Sequence, residues 1–434
     1  MDNEDVIIKR DNDNKKIGFP PRIIGFCVIT LILVMAIAAV VSMLSGEKLT
    51  NIGKTQSGIV VYDSLPDSIR NIEGFSSGLV MLTDTAVDYL DSDGIRIASN
   101  SHLYSQPVML NNGSTVFVYD KGGSAYRIEK KTSVYNNYDV NGTILTAALG
   151  KKGNYAYVLN ENGGYQSRLV VYSSRGNKQF EWGSKADYCV SLALADNGNS
   201  VAIALVSVEN GIYLSKLHFF NFNSDEAKYT VILEDCTIFD IEYLNSKELV
   251  VWTDTGIIKI DKNGNTSVIS EFLPTELRHS DALSGGLKLL ALARHGNDNN
   301  SKVVVFNKKY KELFSEEFSD VVSGVNSDKK YFAVVFENSV KIFDSKNNLI
   351  STFIIGERCI DTAISGSHFY VHTVSGVYVI DIGSDYDLPT LKGDNESDDA
   401  GFSEDVSFDD EDGTTQNQSE PAQTESEETT ISYG

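Results

Sequence analysis

Positive charge is scarce in this chain of 434 residues. It carries 37 Lys and Arg residues against 60 Asp and Glu residues, which gives a formal net charge of −23. An acid excess of this size works against a surface that attracts phosphate groups over a broad area. The composition therefore excludes nucleic acid, and polyanions in general, as a first expectation for the partner.

Proline is rarer still, at 7 residues, whereas glycine is plentiful at 34. This balance fits a chain with many tight turns. Hydrophobic residues make up 41% and aromatic residues 10% of the sequence, which is enough for a large core and excludes disorder of the whole chain. Helical periodicity of useful length is missing after residue 45, so we expect the core to be built from strands.

One long hydrophobic run lies near the start of the chain. Residues 23–44 read IIGFCVITLILVMAIAAVVSML, without a charge. At about 1.5 Å per residue, the run covers the roughly 30 Å of hydrocarbon in a bilayer. The alternative is a cleaved signal peptide, but its apolar stretch usually has about 7 to 15 residues and is followed by a cleavage site of small residues. The length favours a transmembrane helix that acts as a signal anchor.

The flanks of this run predict its orientation. Five basic residues precede it and two follow within 18 residues, namely Lys9, Arg10, Lys15, Lys16 and Arg22, then Lys48 and Lys54. Lys and Arg near a membrane segment are retained on the cytoplasmic side. We therefore expect a single-pass protein of the cell membrane, with residues 1–22 as a cytoplasmic head and the remainder outside the cytoplasm.

The composition changes again at the far end. From Thr390 to Gly434 there are 14 acidic residues and one basic residue, Lys392. Such a segment cannot bury enough apolar surface to offset its chain entropy. We expect residues 386–434 to form a disordered acidic tail.

Between these ends the chain repeats itself. A strand pattern that finishes with a large apolar residue and then a polar or acidic one recurs eight times, at Leu90-Asp91, Ile128-Glu129, Tyr172-Ser173, Phe220-Asn221, Ile260-Asp261, Phe306-Asn307, Phe343-Asp344 and Ile380-Asp381. The mean spacing of about 41 residues falls in the range of four-stranded propeller blades. One unit shows the four short strands clearly, at residues 239–243, 248–252, 256–260 and 266–269, separated by turns rich in Asp, Asn and Gly.

Radial repetition of such units forms a β-propeller. Residues 58–385 resemble the WD40-like and quinoprotein-like propellers in period and strand pattern. They lack the Gly-His and Trp-Asp signature of WD40 repeats, and Trp252-Thr253-Asp254 is similar to a single copy of the Tyr-Trp-Thr-Asp motif. The layout also resembles uncharacterised bacterial single-pass membrane proteins with an outer propeller-like domain, a resemblance that implies no activity.

We therefore predict an all-β fold, a β-propeller of about eight four-stranded blades preceded by one transmembrane helix. Seven blades is the alternative, if the irregular region from Ser68 to Asn100 is not a blade. The last unit stops after its third strand, near Ile380. We expect the strand Gly58–Tyr62, which follows a linker of residues 45–57, to supply the missing outer strand and so close the ring.

Three cysteines lie beyond the membrane run, each near the start of the first strand of a repeat: Cys189, Cys236 and Cys359. Cys189 and Cys236 belong to adjacent repeats, and a disulfide between them requires their Cα atoms to lie within about 7 Å. The alternative is that all three are small buried residues. Both interpretations stay open, and the odd number leaves at least one thiol unpaired.

Three other motifs have ordinary explanations. Residues 74–78, Gly-Phe-Ser-Ser-Gly, match a hydrolase nucleophile elbow, but a strand follows them where the elbow needs a helix, so we predict a β-turn. His368 and His372 lie about 13 Å apart on a strand and cannot share a metal ion. The acidic segments 88–94 and 261–265 fit either a calcium site or, as we favour, hairpin turns.

The sequence thus indicates no catalytic residue, cofactor or metal site. We expect a membrane-anchored extracytoplasmic propeller that acts as a binding or scaffold module for a protein or an envelope polymer. The alternative is an extracytoplasmic enzyme, a hydrolase or oxidoreductase, with its site at the propeller channel. Convergent ionisable residues with perturbed pKa values at the channel favour the enzyme, whereas an apolar patch at one rim favours binding.

Overall fold

Thirty-three β-strands make up the part of the chain that the computed structural model describes. That part comprises residues 52–54, 60–62 and 69–383, except residues 162, 282–285 and 295–296. The predicted head 1–22, transmembrane helix 23–44 and acidic tail 386–434 lie outside the described residues. Within them we find no helical segment with the length and hydrophobicity that crossing a membrane requires.

The first strands in chain order are β1 (Ile52–Lys54), β2 (Val60–Tyr62), β3 (Ile69–Phe75), β4 (Gly78–Thr83), β5 (Ala86–Leu90), β6 (Arg96–Ser101), β7 (Pro107–Asn111), β8 (Thr115–Asp120), β9 (Ala125–Lys130), β10 (Ser133–Asp139), β11 (Thr143–Leu149), β12 (Tyr155–Asn160), β13 (Ser167–Tyr172), β14 (Lys178–Ser184), β15 (Tyr188–Leu194), β16 (Ser200–Glu209), β17 (Ile212–Asn221) and β18 (Tyr229–Leu233). They are followed by β19 (Ile238–Asn245), β20 (Glu248–Thr253), β21 (Gly256–Ile260), β22 (Thr266–Glu271), β23 (Leu277–Asp281), β24 (Lys288–Arg294), β25 (Asn297–Phe306), β26 (Glu312–Phe318), β27 (Gly324–Ser327), β28 (Tyr331–Val335), β29 (Ser339–Asp344), β30 (Leu349–Ile354), β31 (Cys359–Ser365), β32 (His368–Thr373) and β33 (Val377–Asp381).

These strands form eight antiparallel sheets, the blades of a β-propeller. Blade 1 contains β3 to β6, and each later blade takes the next four strands, up to blade 7 with β27 to β30. In most pairs of neighbouring blades, the first strands contact one another around the axis. The prediction of eight blades is confirmed, and the irregular region near residues 68–100 is blade 1.

Blade 8 joins the two ends of the propeller. Its sheet has the order β1-β2-β33-β32-β31, and Val61 of β2 pairs with Tyr378 of β33. The predicted closure by the strand near residues 58–62 is therefore confirmed. The sheet also gains a fifth strand, because β1 pairs with the outer side of β2, and β1 falls in the segment predicted as a linker.

Apolar packing between blades forms the core. There are eight hydrophobic clusters, each shared by two successive blades, and the cluster of Ile72, Leu79, Tyr370 and Val379 joins blade 8 to blade 1. A middle strand is covered on both faces, so it reads as a continuous apolar run. In β20, for example, Leu249 and Val251 pack toward blade 4, whereas Val250 and Trp252 pack toward blade 6.

We predict that replacing Gly78 destabilises blade 1. A Cβ atom at Gly78, the first residue of β4, would lie 2.1 Å from the carbonyl oxygen of Leu90. This backbone cannot move aside without disturbing the ladder between β4 and β5, so G78A should lower the free energy of unfolding by about 1 to 3 kcal/mol. Chemical denaturation measures this change.

Gly324 is the matched control, because it too opens a strand and its Cβ would lie 3.5 Å from the Val335 side chain, at ordinary contact distance. G324A should stay within about 1 kcal/mol of the natural protein. Equal stability of G78A and G324A would contradict the described approach of β4 to Leu90.

Candidate functional site

The first strands that surround the axis share an irregularity. In six of the eight blades the ladder between first and second strand shifts register near its start. A polar residue follows each bulge, namely Asn71, Thr146, Ser191, Asp240, His279 and Asp361. Bulges of this kind redirect side chains, and here they place a polar group on the wall of the channel in blade after blade.

Three of these polar groups, and other polar side chains on the first strands, bind neighbouring blades to each other. The Asp361 carboxylate of blade 8 accepts a hydrogen bond from the main-chain N–H of Ile72 in blade 1, at 3.0 Å. The Ser191 hydroxyl of blade 4 donates to Asp240 of blade 5, at 3.1 Å. Further bonds of 2.8 Å run from Asn111 to the carbonyl of Gly74, from Asn326 to the carbonyl of Thr362 and from Ser327 to Asp281. The channel wall is thus a seam of hydrogen bonds between blades.

Burial shifts the ionisation of the carboxyl groups in this wall. It raises the pKa of Glu73 to about 8, opposed by a hydrogen bond with Asn111 and reinforced by the charges of Asp361 and Asp281. Because those charges belong to blades 8 and 6, three blades contribute carboxyl groups to one region of the channel. Burial also raises the pKa values of Asp240 and Asp361.

A second polar cluster lies between blades 5 and 6. The ammonium group of Lys288 lies 2.8 Å from Glu242, whose other oxygen accepts from the Tyr310 hydroxyl. Trp252 donates its indole N–H to the same hydroxyl at 3.0 Å. Burial raises the pKa of Glu242 to about 7, against the opposing charge of Lys288. The cluster therefore links blades 5 and 6 through fully engaged polar atoms.

The channel carboxyl groups do not form a metal centre. No group of three His, Cys, Asp or Glu side chains among the described residues is arranged to hold a metal ion. Asp240, Asp281 and Asp361 each use one carboxylate oxygen in a bond between blades. The bonds between blades stabilise the ring, and a carboxyl group with a raised pKa, such as Glu73, can keep its proton near neutral pH.

The cysteines are free thiols in the structure, and no disulfide joins Cys189 to Cys236. Cys189 and Cys359 occupy equivalent bulges, where each thiol donates to the carbonyl two residues later, at 3.6 Å. Cys236 precedes β19 and lies in the packing between blades 4 and 5, whereas Cys189 lies between blades 3 and 4. Adjacent repeats thus place these two thiols in different clusters.

The other motifs take the ordinary structures that we predicted. Residues 76–77 form the turn between β3 and β4, and both histidines, His368 and His372, lie on β32. The Asp261 carboxylate accepts main-chain N–H groups of Asn263 and Asn265, at 2.8 and 2.9 Å. Asp91 does the same in its own turn, so both acidic segments are hairpin turns.

The two faces of the ring differ in exposed apolar side chains. Strands alternate in direction, so the second-to-third connections and the blade-to-blade connections lie at one face, which we call the apolar face. Of 21 large apolar side chains exposed in the described part, thirteen lie at this face: Leu103, Tyr165, Tyr188, Val208, Ile212, Tyr213, Ile232, Phe239, Leu273, Val321, Ile354, Ile360 and Val374. The other eight lie on or beside outermost strands.

The apolar face carries a projecting hairpin on blade 4. Strands β16 and β17 have ten residues each, and they continue past the last pairings with their neighbours, at Val206 and Ser215. A tight turn with positive φ at Asn210 and Gly211 joins them. Near the tip, Val208, Ile212 and Tyr213 are 59%, 63% and 77% exposed. The hairpin thus presents apolar side chains on a two-stranded ribbon with unpaired edges.

The opposite face, which we call the basic face, is formed by the first-to-second and third-to-fourth connections. Among the described residues, these carry thirteen Lys and Arg against seven Asp and Glu, whereas connections of the apolar face carry three against ten. The thirteen are all exposed: Lys131, Lys151, Lys152, Arg175, Lys228, Lys247, Lys262, Lys308, Lys309, Lys311, Lys329, Lys330 and Lys346. The net charge of the whole chain therefore does not describe the charge of this face.

A cleft opens on the basic face between blades 3 and 4. Its volume is about 440 Å³, and it is lined by Gln179, Asn197, Asn199, Ser200, Asn221, Phe222 and Asn223. Five carboxamides and one aromatic ring thus surround one space. Sequence reasoning missed this cleft, because its residues come from β14 and from two separate turns of blade 4.

Comparison with known proteins identifies a family for this chain, but that family has no known activity. The sequence profile of a protein family, described as a family of unknown function, matches residues 54–382. A search of curated proteins gave no match to this chain.

Three solved structures show weak likeness. BamB from Moraxella catarrhalis is 12% identical with a TM-score of 0.45, over 74% of this chain and 99% of that one. A eukaryotic initiation factor is 13% identical with a TM-score of 0.41, over 67% and 88%. Raptor from Chaetomium thermophilum is 11% identical with a TM-score of 0.43, over 77% and 29%. Similarity this weak carries no functional information.

We predict that Glu73 makes the protein less stable as the pH rises. Between its ordinary pKa of 4.5 and its folded pKa of about 8, the folded protein keeps a proton that the unfolded chain has released. The free energy of unfolding should therefore fall across this window, by up to about 1.4 kcal/mol per pH unit. E73Q cannot lose a proton, so its stability should fall less between pH 5 and pH 8.

Urea denaturation at pH 5 and pH 8 measures this difference. E312Q, at an exposed glutamate on β26, should keep the pH dependence of the natural protein. The same pH dependence in E73Q as in E312Q would show that Glu73 does not hold its proton in the folded state.

Proposed function

Since the chain belongs to DUF5711, a family of unknown function, no activity comes with its family, and we propose that it acts as a binding or scaffold module. In this proposal, the helix predicted at residues 23–44 anchors the propeller in the cell membrane, with the blades outside the cytoplasm. The partners are a protein at the apolar face and a polymer of the cell envelope.

The projecting hairpin of blade 4 is the observation that carries the proposal. Its exposed Val208, Ile212 and Tyr213 contribute nothing to the core described above. Neighbouring exposed apolar groups mark interaction sites more often than single ones do, and Val208 pairs with Tyr213 across the ribbon. The unpaired edges of the ribbon also offer main-chain groups to an added strand. The hairpin therefore fits a protein partner better than a small molecule.

Lys216 connects the hairpin to its surroundings by charge. Lys216 forms ion pairs with Glu209 on the opposite strand and with Asp187 before β15. These contacts hold the ribbon to the body of blade 4. A rigid ribbon loses little conformational entropy when it binds, which suits a docking element.

The path of the chain supports an anchor near the apolar face. Ile52 of β1 pairs with Tyr62, which pairs with Val377 at the start of β33, so β1 begins at this face. Only residues 45–51 separate β1 from the predicted helix, and seven residues reach at most about 25 Å. The apolar face would then lie close to the membrane and to proteins embedded in it.

The enzyme alternative has one observation in its favour, the raised pKa of Glu73 and its neighbours in the channel. Perturbed carboxyl groups are common at catalytic sites. In this channel, however, Asp240, Asp281 and Asp361 are engaged in bonds between blades. A seam that holds the ring together explains the same shifts, and the exposed apolar hairpin remains without a role in the enzyme. Binding accounts for more of the molecule.

Site-specific photocrosslinking in intact cells tests the proposed docking element. A photoreactive amino acid at position 213 should crosslink to one discrete protein, because Tyr213 lies at the tip of the hairpin. The same probe at position 97, an exposed isoleucine on β6 outside the apolar face, should not. Val208→Ser with Ile212→Ser should remove the product at position 213 without changing the protein level.

Equal crosslinking at positions 213 and 97, or a product at 213 that survives the two serine substitutions, would contradict the proposal. Protease added to intact cells tests the anchor separately. Degradation of the propeller is expected, and a protected propeller would place it on the wrong side of the membrane.

A further inference from the structure

The cleft on the basic face is lined mainly by carboxamide side chains. The side-chain amides of Gln179, Asn199, Asn221 and Asn223 form no hydrogen bond to other described residues, although all four border the cleft. A carboxamide donates through its nitrogen and accepts through its oxygen. Hydroxyl groups do both as well, so these four exposed carboxamides match a ligand with many hydroxyls.

The cleft also has a fixed aromatic wall. Phe222 stacks on the buried Phe180 of blade 3, with centroids 5.5 Å apart and rings within 19° of parallel. Its main-chain N–H donates to the carbonyl of Asn199 at 3.1 Å, and the N–H of Asn199 donates to the Asn197 side chain at 2.9 Å. The two turns are therefore tied together, and the ring offers an apolar surface to the C–H groups of a sugar.

Lysines lie at the rim of the cleft and in other turns of the basic face. Lys152 donates to the carbonyl of Asn197 at 3.2 Å, which holds its ammonium group at the rim. Beyond blade 5, the turn after β25 presents Lys308, Lys309 and Lys311, all exposed. Between them Tyr310 is buried against Trp252 and Glu242, so the turn that carries these three lysines is anchored.

Several acidic side chains of this face accept hydrogen bonds within their own turns, whereas its lysines face solvent. In blade 7 the Asp328 carboxylate accepts the main-chain N–H groups of Lys330 and Tyr331, at 2.6 and 2.8 Å, and Asp344 accepts that of Lys346 at 2.8 Å. These carboxylates close turns, whereas the lysines beside them face solvent. The acids at the cleft itself are Asp196, which pairs with Lys151 at 2.9 Å, and the exposed Asp225 and Glu226.

We propose that the basic face binds an anionic glycan, with sugar hydroxyls in the carboxamide cleft and the charges of the following units along the lysine turns of blades 5 to 7. This deepens the proposed function, on which it rests, by naming the class of envelope polymer. The cleft selects for hydroxyl groups. The lysines attract the negative charges of the glycan, and salt screens this attraction. Neither an uncharged glycan nor a polyanion without hydroxyls satisfies both parts.

Binding of the purified full chain, in mild detergent, to fluorescent oligogalacturonate tests the proposal. Oligogalacturonate should bind more tightly than dextran or inorganic polyphosphate of similar length, and its affinity should fall as salt rises. Asn199→Ala, Asn221→Ala and Asn223→Ala together should weaken it at least tenfold. Lys308→Gln, Lys309→Gln and Lys311→Gln together should weaken it at least threefold and reduce its salt dependence.

The matched control replaces two exposed asparagines on the outer strand of blade 2, Asn136→Ala with Asn137→Ala, and should leave the affinity unchanged. Unchanged thermal unfolding checks that each variant is folded. The proposal is overturned by absence of oligogalacturonate binding, by an unaffected asparagine variant, or by equally tight polyphosphate binding. Preferential binding to vesicles of phosphatidylglycerol would assign the face to lipid instead. None of these results affects crosslinking at position 213, which reports on the opposite face.

Discussion

The pairing of β2 with β33 is the contact on which the rest of the structure depends. It converts a row of sheets into a ring, because the strand that completes blade 8 leads directly into blade 1. Each blade buries apolar side chains only against its two neighbours. Without closure, the surfaces of blades 8 and 1 that now share Ile72, Leu79, Tyr370 and Val379 would face water.

Closure of the ring also explains why polar groups at the axis and residues on the two faces have different roles. Polar groups at the axis bind blade to blade, and middle strands are covered on both sides by their neighbours. Carboxyl groups in the channel take part in these bonds between blades. The residues of the two faces remain available for recognition. One face is acidic with exposed apolar groups, whereas the other is basic with a carboxamide cleft. A rigid ring can present both surfaces at once, which is what a scaffold requires.

Much of the fold could be predicted from the sequence, since the signal for it is local. The period of about 41 residues reflects four short strands and their turns, and strands such as β19 to β22 lie within two residues of their predicted bounds. Closure could be predicted because the last repeat lacks a strand and an unassigned strand precedes the first. The fifth strand, β1, could not, because three residues carry no pattern of their own.

The faces and the cleft depend on which turns meet in space. Lys308 and Lys330 belong to different blades, and net charge averages them with acids that lie elsewhere. Gln179 and Asn223 look like ordinary polar residues until the strands of blades 3 and 4 bring them to one cleft. The bulges that aim Ser191 and Asp361 at neighbouring blades are equally hidden, because one extra residue in a strand interrupts the period-two alternation from which strands are predicted.

Hydrogen exchange in a chain with proline at position 61 tests the closure most directly. Val61 lies within β2, which is paired on both sides, and proline is excluded from such central strands. V61P should expose amides of β33 and also of β3, across the joint between blades 8 and 1. V268P, in the outermost strand of blade 5, should affect only β22 and its immediate partner. Unchanged protection of β33 and β3 in V61P would contradict the account of a ring closed by this strand.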